Sequence, residues 1–209
     1  GQADPLRLTS RQCERVAVQQ LRVERDALEQ PARRALVDEG DYFQVLVLSV
    51  FNQQLATKTA ATLYRRFRAL FPGRRPTPRR VLEVFGERSR EELAWCGLSR
   101  QKQSYITDLA QHFLNGRIPT RRFRRMDDEE IIASLTEVKG IGRWTAQMFL
   151  LFSLNRPDVW PTLDLGLQEG VRQALALKER PSPRELERIG ERFSPWRGIA
   201  TWYLWRGKE

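Results

Sequence analysis

The chain has 209 residues, enough to bury one large core or two small lobes. Lys and Arg total 36 against 26 Asp and Glu, a formal net charge of +10 that favours a polyanionic partner through long-range attraction. No apolar run is long enough to span a bilayer, no signal-peptide pattern opens the chain, and the one histidine with two distant cysteines, Cys13 and Cys96, argues against a zinc site, a four-thiolate cluster or a Ser/His/Asp triad. The cysteine usage suits a reducing compartment.

In chain order, residues 4–29 are predicted as a helix ending before Pro31, with Val16, Val18, Leu21 and Leu28 on an uneven apolar face. Gly40 and Asp41 read as a stop and an N-cap. The apolar run 42–50 that follows could be a strand by composition, and is predicted as a buried helix because helices surround it. Asn52, Gln53 and Gln54 interrupt this run before a helix to about Phe67; such amides need partners when buried, so the break reads as a helix cap or as a site. Residues 71–78 form a loop that Arg74, Arg75, Arg79 and Arg80 make basic, read as solvated surface. Gly97 ends one helix and Ser99 caps the next, whose buried face holds Tyr105, Ile106 and Leu109. His112 is expected to be partly exposed on that helix.

Asp127 to Glu130 place acidic residues at the positive end of a helix running from about Asp128 to Thr136. A tight turn follows, Val138-Lys139-Gly140-Ile141-Gly142, then a second helix with Trp144, Met148, Leu151 and Phe152 at helical spacing. The glycines allow positive φ and close backbone approach. Amides that open a helix bind an anion, and for a basic chain the obvious anion is a nucleic-acid phosphate. The loop 155–161 leads to Asp164, which reads as the N-cap of a helix from Leu165 to about Leu177. Ser182-Pro183-Arg184-Glu185 is a capping box, and Ser194-Pro195 starts a last helix, 196–206. With no paired strand signals, the chain is predicted all-α, with roughly nine to eleven helices.

The runs LTEVKGIGRWTA (135–146), FNQQLATKTAATLYRRF (51–67) and CGLSRQKQSYI (96–106), with Asp164 beyond a Pro-containing loop, resemble the helix-hairpin-helix DNA glycosylase superfamily. The wording GIGRWTA is similar to its alkylbase branch, the 3-methyladenine DNA glycosylase II-like proteins. The resemblance covers roughly residues 41–206. It implies two helical lobes with a cleft, and a helix-hairpin-helix followed by a Gly/Pro-rich loop and a catalytic aspartate. The expected organisation is one domain, 1–209, with lobes at about 31–110 and the remainder.

By the same resemblance, Val138, Lys139, Gly140, Ile141, Gly142 and Thr145 grip the DNA backbone. Gln53, Gln54 and Leu55 belong to a minor-groove wedge, with Gln54 or Leu55 filling the gap left by an extruded nucleotide. Trp144, Trp205 and Trp95 line a base pocket, although Trp95 and Trp205 also suit core packing; Trp160, Trp196 and Trp202 are ranked as core. The backbone carbonyls of Thr136, Val138 and Ile141 are expected to hold a monovalent cation, Na+ or K+, and no other cofactor is implied.

Asp164 would face the deoxyribose and stabilise the charge that builds as an N-glycosidic bond breaks. Strand-cleaving members carry a Schiff-base lysine where this chain has Trp144, so the resemblance implies a monofunctional enzyme; Lys139 does not match that lysine. Arg206, and the Leu163 and Leu165 that flank Asp164, depart from the branch pattern and bear on substrate range. The expected substrates are cationic alkylated bases such as 3-methyladenine or 7-methylguanine, with hypoxanthine, 1-methyladenine and 3-methylcytosine as alternatives. The rival reading is a non-catalytic helix-hairpin-helix DNA-binding protein. The expected partner is double-stranded DNA containing damaged bases, with no membrane and no obligate protein partner. The expected location is the cytoplasm of a bacterium, at the nucleoid, or a nucleus.

Overall fold

The computed structural model describes residues 42–207; the expected helix over 4–29, the cap at Gly40 and Asp41, and Cys13 lie outside them. Every regular element among the described residues is helical. In order these are α1 (Tyr42–Asn52), α2 (Thr57–Arg68), α3 (Pro78–Glu87), α4 (Arg90–Trp95), α5 (Arg100–Leu114), α6 (Asp128–Thr136), α7 (Arg143–Phe152), α8 (Leu165–Ala174), α9 (Pro183–Gly190) and α10 (Arg197–Arg206). The apolar run 42–50 is therefore helix, and it buries Tyr42, Phe43, Leu46, Val47, Val50 and Phe51 at helical spacing.

Local chemistry sets most of the boundaries. Capping boxes open α4 (Ser89 with Glu92), α6 (Asp127 with Glu130) and α9 (Ser182 with Glu185). Ser99 caps α5 by accepting from the Lys102 amide at 3.2 Å. α8 stops at Ala174, short of the expected Leu177, because Ala176 takes a left-handed φ of 50° that a helix cannot continue through. The last helix begins at Arg197, with Trp196 at its N-cap.

The described chain falls into two compact units, 42–149 and 150–207. In the first, an aromatic cluster fills the interior: the Tyr42, Phe123 and Phe149 rings lie 5.4–5.7 Å apart, and Phe67 packs on both Phe51 and Phe71. Its longest helix, α5, packs on α1 and α3. His112 on α5 is buried at 8% exposure, not partly exposed as expected; its Nδ1 meets the Asp108 carbonyl at 2.9 Å, which gives the buried ring a polar partner. In the second unit, Leu167 and Val171 of α8, Leu186 and Ile189 of α9, and Leu204 of α10 surround Trp160. The Trp160 indole N–H donates to the Leu186 carbonyl at 2.8 Å, so burying the ring strands no donor. Trp196, ranked as core from sequence, is 58% exposed; it stands at the N-cap of α10, ahead of the helix turns that bury Gly198, Thr201 and Leu204.

α10 has no side-chain cap of its own at Trp196. Asp158, in the loop after α7, does that work from 39 residues away: its carboxylate accepts from the Arg197 amide at 3.1 Å. It also accepts from Arg197 Nε at 2.7 Å, Arg197 Nη2 at 2.6 Å and Ser194 Oγ at 3.1 Å. The Arg197 guanidinium holds the Asp158 carboxyl below the usual carboxylate range. A carboxyl whose folded-state pKa is lowered contributes stability fully above its unfolded value, about 3.9, and loses it as pH falls through the folded value. Asp158→Asn is therefore expected to cost about 1–2 kcal/mol at neutral pH, allowing for solvent screening of the pair. Urea melts should show the gap between variant and parent closing only in acid, below pH of about 4. A gap that is constant from neutral to acid pH would contradict the account.

Candidate active site and nucleic-acid interface

In the turn between α6 and α7 the amides alternate in use from Lys139 to Gly142. The Val138 amide donates to Leu135 O at 3.2 Å, the Lys139 amide to Asp108 Oδ2 at 2.8 Å, and the Ile141 amide to Val138 O at 3.1 Å. The amides of Gly140 and Gly142 have no acceptor among the described residues. Gly140 needs to be glycine: its φ is 80°, and a Cβ there would lie 2.2 Å from the Tyr105 ring. Gly142 has no positive φ, and a Cβ on it would meet open space.

Of the residues expected in the grip, Lys139, Gly140 and Gly142 are exposed, whereas Val138, Ile141 and Thr145 are buried and support the turn from beneath. The Lys139 amide is occupied by Asp108, so it is the lysine side chain that is presented. Arg143, the first residue of α7, forks onto both carboxylate oxygens of Glu129 in the first turn of α6, which tethers the two hairpin helices. Thr136 is the last residue of α6, and the Val138 carbonyl in the turn accepts from the Ile141 amide at 3.1 Å. Backbone carbonyls such as those of Thr136, Val138 and Ile141 are hard oxygen donors, the kind a monovalent cation takes. No group of three or more His, Cys, Asp or Glu among the described residues could hold a metal ion.

The α1–α2 loop places the three residues expected in the wedge differently. Gln53 is tied down: its Nε2 donates to Gly140 O at 2.7 Å. Gln54 is exposed and takes a φ of 59°, an uncommon left-handed conformation for a glutamine. Leu55 is 37% exposed and sits one step beyond it. Gln54 is thus the tip of the loop. Among the pocket tryptophans, Trp144 is 44% exposed on the first turn of α7. Trp95 is 62% exposed at the end of α4, with the Arg66 guanidinium 4.8 Å over its ring. Neither is a core tryptophan.

In the second unit, Asp164 is 9% exposed and caps α8. Its Oδ1 accepts from the Leu167 amide at 2.6 Å and from the Trp205 indole Nε1 at 2.7 Å. One carboxylate oxygen thus serves both the cap of α8 and the Trp205 indole, at the positive end of a helix dipole. Trp205 does not stand free as a pocket wall: it stacks on Phe152 at 5.8 Å with an interplanar angle of 4°, and Trp202 meets it edge-on at 5.8 Å. Leu163 and Leu165, on either side of Asp164, are 54% and 64% exposed.

Sequence reasoning missed three supports of this site. Phe152 was legible only as one apolar position among several, and Trp202 only as core. Gly166 drew no attention, yet a Cβ on it would lie 2.7 Å from Asp164 Oδ1 and 2.9 Å from Trp205 Nε1. A glycine two positions after a capping aspartate was the available signal.

A family model described as HhH-GPD superfamily base excision DNA repair protein matches residues 47–195. The chain is 36% identical over 172 residues to DNA-3-methyladenine glycosylase 1 of Schizosaccharomyces pombe, covering 81% of this chain and 74% of that protein. It spans between 60% and 64% of the length of three other curated relatives. Among solved structures, the S. pombe 3-methyladenine DNA glycosylase Mag1, in complex with abasic DNA, matches with a TM-score of 0.69 at 36% identity, covering 79% of each chain. A DNA-3-methyladenine glycosidase from Bacillus halodurans matches with a TM-score of 0.73 at 32% identity, covering 94% of this chain and 88% of that one.

Gly166→Ala is expected to push the Asp164 carboxylate and the Trp205 indole apart. Its signature is an upfield shift of one indole N–H resonance in the NMR spectrum. Helix α8 itself stands to gain up to about 1 kcal/mol in propensity from the same change. An unmoved indole resonance would mean that the hydrogen bond does not depend on the missing Cβ.

Proposed function

Because the chain belongs to the HhH-GPD superfamily of base excision DNA repair proteins, we propose that it is a monofunctional DNA glycosylase that removes alkylated, positively charged bases from double-stranded DNA. The observation that carries this reading is the buried Asp164 carboxylate, oriented by two donors on one oxygen at the N-terminus of α8. The relatives' names favour 3-methyladenine within the substrate class. Trp144 stands where the resemblance would put a Schiff-base lysine in a strand-cleaving member, so the reaction is hydrolysis alone.

A cationic base is a good leaving group, because it takes the electron pair of the C1′–N bond and departs neutral. Positive charge then builds on the sugar, and Asp164 stabilises it with no reorganisation of its own. Water adds to C1′, its proton passing to the carboxylate or to solvent, and an abasic site remains. The exposed Trp144 ring offers an electron-rich face to the charged base, a contact worth about 0.5–2 kcal/mol. The Gly140 and Gly142 amides hold a backbone phosphate. A monovalent cation on the carbonyls of Thr136, Val138 and Ile141 would supply positive charge beside it. The net charge of +10 draws the duplex to the protein without regard to sequence. No described helix is long and apolar enough to cross a membrane, and the protein works where DNA is held, the cytoplasm of a bacterium or a nucleus.

Asparagine caps a helix as well as aspartate does. Asp164→Asn is therefore expected to keep the melting temperature and the affinity for lesion-containing duplex while base release falls by about 10²–10⁴-fold. Unchanged release of free base would leave helix capping as the residue's whole role, and a non-catalytic DNA-binding protein as the better reading.

Gly142→Leu tests the grip without straining the turn, since its Cβ would enter open space. Covering that amide is expected to weaken binding on the order of tenfold, for damaged and undamaged duplex alike. A loss confined to damaged DNA, read by fluorescence anisotropy, would contradict it.

A further inference from the structure

Two loops of the first unit, one carrying Gln54 and one carrying Gly140, are held by the same helix. Lys102 on α5 sends its ammonium to the carbonyls of Phe51 at 2.9 Å and Gln53 at 3.2 Å, the last residues before the tip of the α1–α2 loop. These are orphan carbonyls at a helix C-terminus, where a cation is most favourable. Two further residues sit at three-residue steps on the same helix. The Tyr105 ring fills the space beside Gly140, and Asp108 takes the Lys139 amide at 2.8 Å. The loops are also joined directly, by the Gln53 side chain on Gly140 O at 2.7 Å across 87 residues of sequence.

The left-handed conformation of Gln54 is uphill for a side chain with a Cβ, and it persists only where neighbours over-determine it. The residue just before it is fixed twice, through its carbonyl by Lys102 and through its amide by Gly140.

We propose that α5 is a clamp that locks the Gln54 wedge at a set position relative to the phosphate-binding turn, with Lys102 as the positioning residue for nucleotide extrusion. The inference rests on the glycosylase reading for its biological sense. The Lys102 ammonium is engaged by the carbonyls of Phe51 and Gln53. It acts through the loop, on the step that opens the duplex, so its loss should matter only where a base pair has to be opened.

The experiment compares the parent protein with Lys102→Met, Lys102→Arg and Gln53→Ala. Each is given duplexes bearing 3-methyladenine opposite thymine or opposite an abasic site, with 2-aminopurine next to the lesion. Single-turnover base release, the fluorescence rise of unstacked 2-aminopurine and the melting temperature are recorded. Lys102→Met is expected to slow release from the fully paired duplex by about tenfold, as for loss of a charge-assisted hydrogen bond, and to abolish the fluorescence rise. It should release base opposite the abasic site at the parent's rate, and Lys102→Arg should restore most of the paired-duplex rate. Gln53→Ala should show the same pattern without touching α5, and it decides the matter if Lys102→Met fails to fold. Equal losses in both contexts, or parent-like release and fluorescence on paired DNA, would overturn the clamp. A parent protein that unstacks 2-aminopurine but releases no base would sink the glycosylase reading and leave the clamp to be judged by fluorescence alone.

Discussion

The left-handed backbone of Gly140 is the constraint on which the first unit's functional surface depends. Its φ of 80° turns the chain between α6 and α7, and the space where a side chain would stand belongs to the Tyr105 ring. Its carbonyl serves Gln53 and its amide faces outward. Each of those four facts uses a different side of the same residue, so no other amino acid satisfies them together. Along the turn the Lys139 amide is taken by the Asp108 carboxylate and the Ile141 amide by the Val138 carbonyl, which leaves those of Gly140 and Gly142 without an acceptor among the described residues. Under the proposed phosphate grip, such a surface would read the spacing of phosphates and not the base sequence.

The second unit solves a different problem, that of placing a fixed negative charge in a nearly buried position. A carboxylate there is costly unless its oxygens are satisfied. Asp164 meets the cost with the amide of its own helix and the indole of another, both on Oδ1. The first bond is what any capping aspartate makes. The second is supplied by α10, whose tryptophan is itself held by Phe152 and Trp202. The same residue thus caps one helix and ties it to another.

The parts of this design that were legible in the sequence are the local ones. Ser99, Asp127, Asp164 and Ser182 announce helix starts because a cap is a contact between residues three apart. The apolar run 42–50 is ambiguous by composition, and only the helices around it point to the helix that it forms. What stayed hidden joins residues far apart: Trp205 to Asp164 across 41 positions, Gln53 to Gly140 across 87, Lys102 to Gln53 across 49. Periodicity states which face of a helix is buried and is silent on what meets it there. A left-handed glutamine at position 54 leaves no mark in the sequence, because nothing local favours it.

The borrowed cap on α10 has a consequence for how the site comes into being. A ten-residue helix without its own cap is marginal in isolation, and this one acquires its first-turn acceptor only when the Asp158 loop has docked. During synthesis α8 leaves the ribosome before α10, so Asp164 can cap its helix while the indole that completes its environment is still to come. The charged centre is therefore finished only as the second unit closes on itself. Partly made or locally opened chains keep the aspartate and its cap and lack the indole that completes its surroundings.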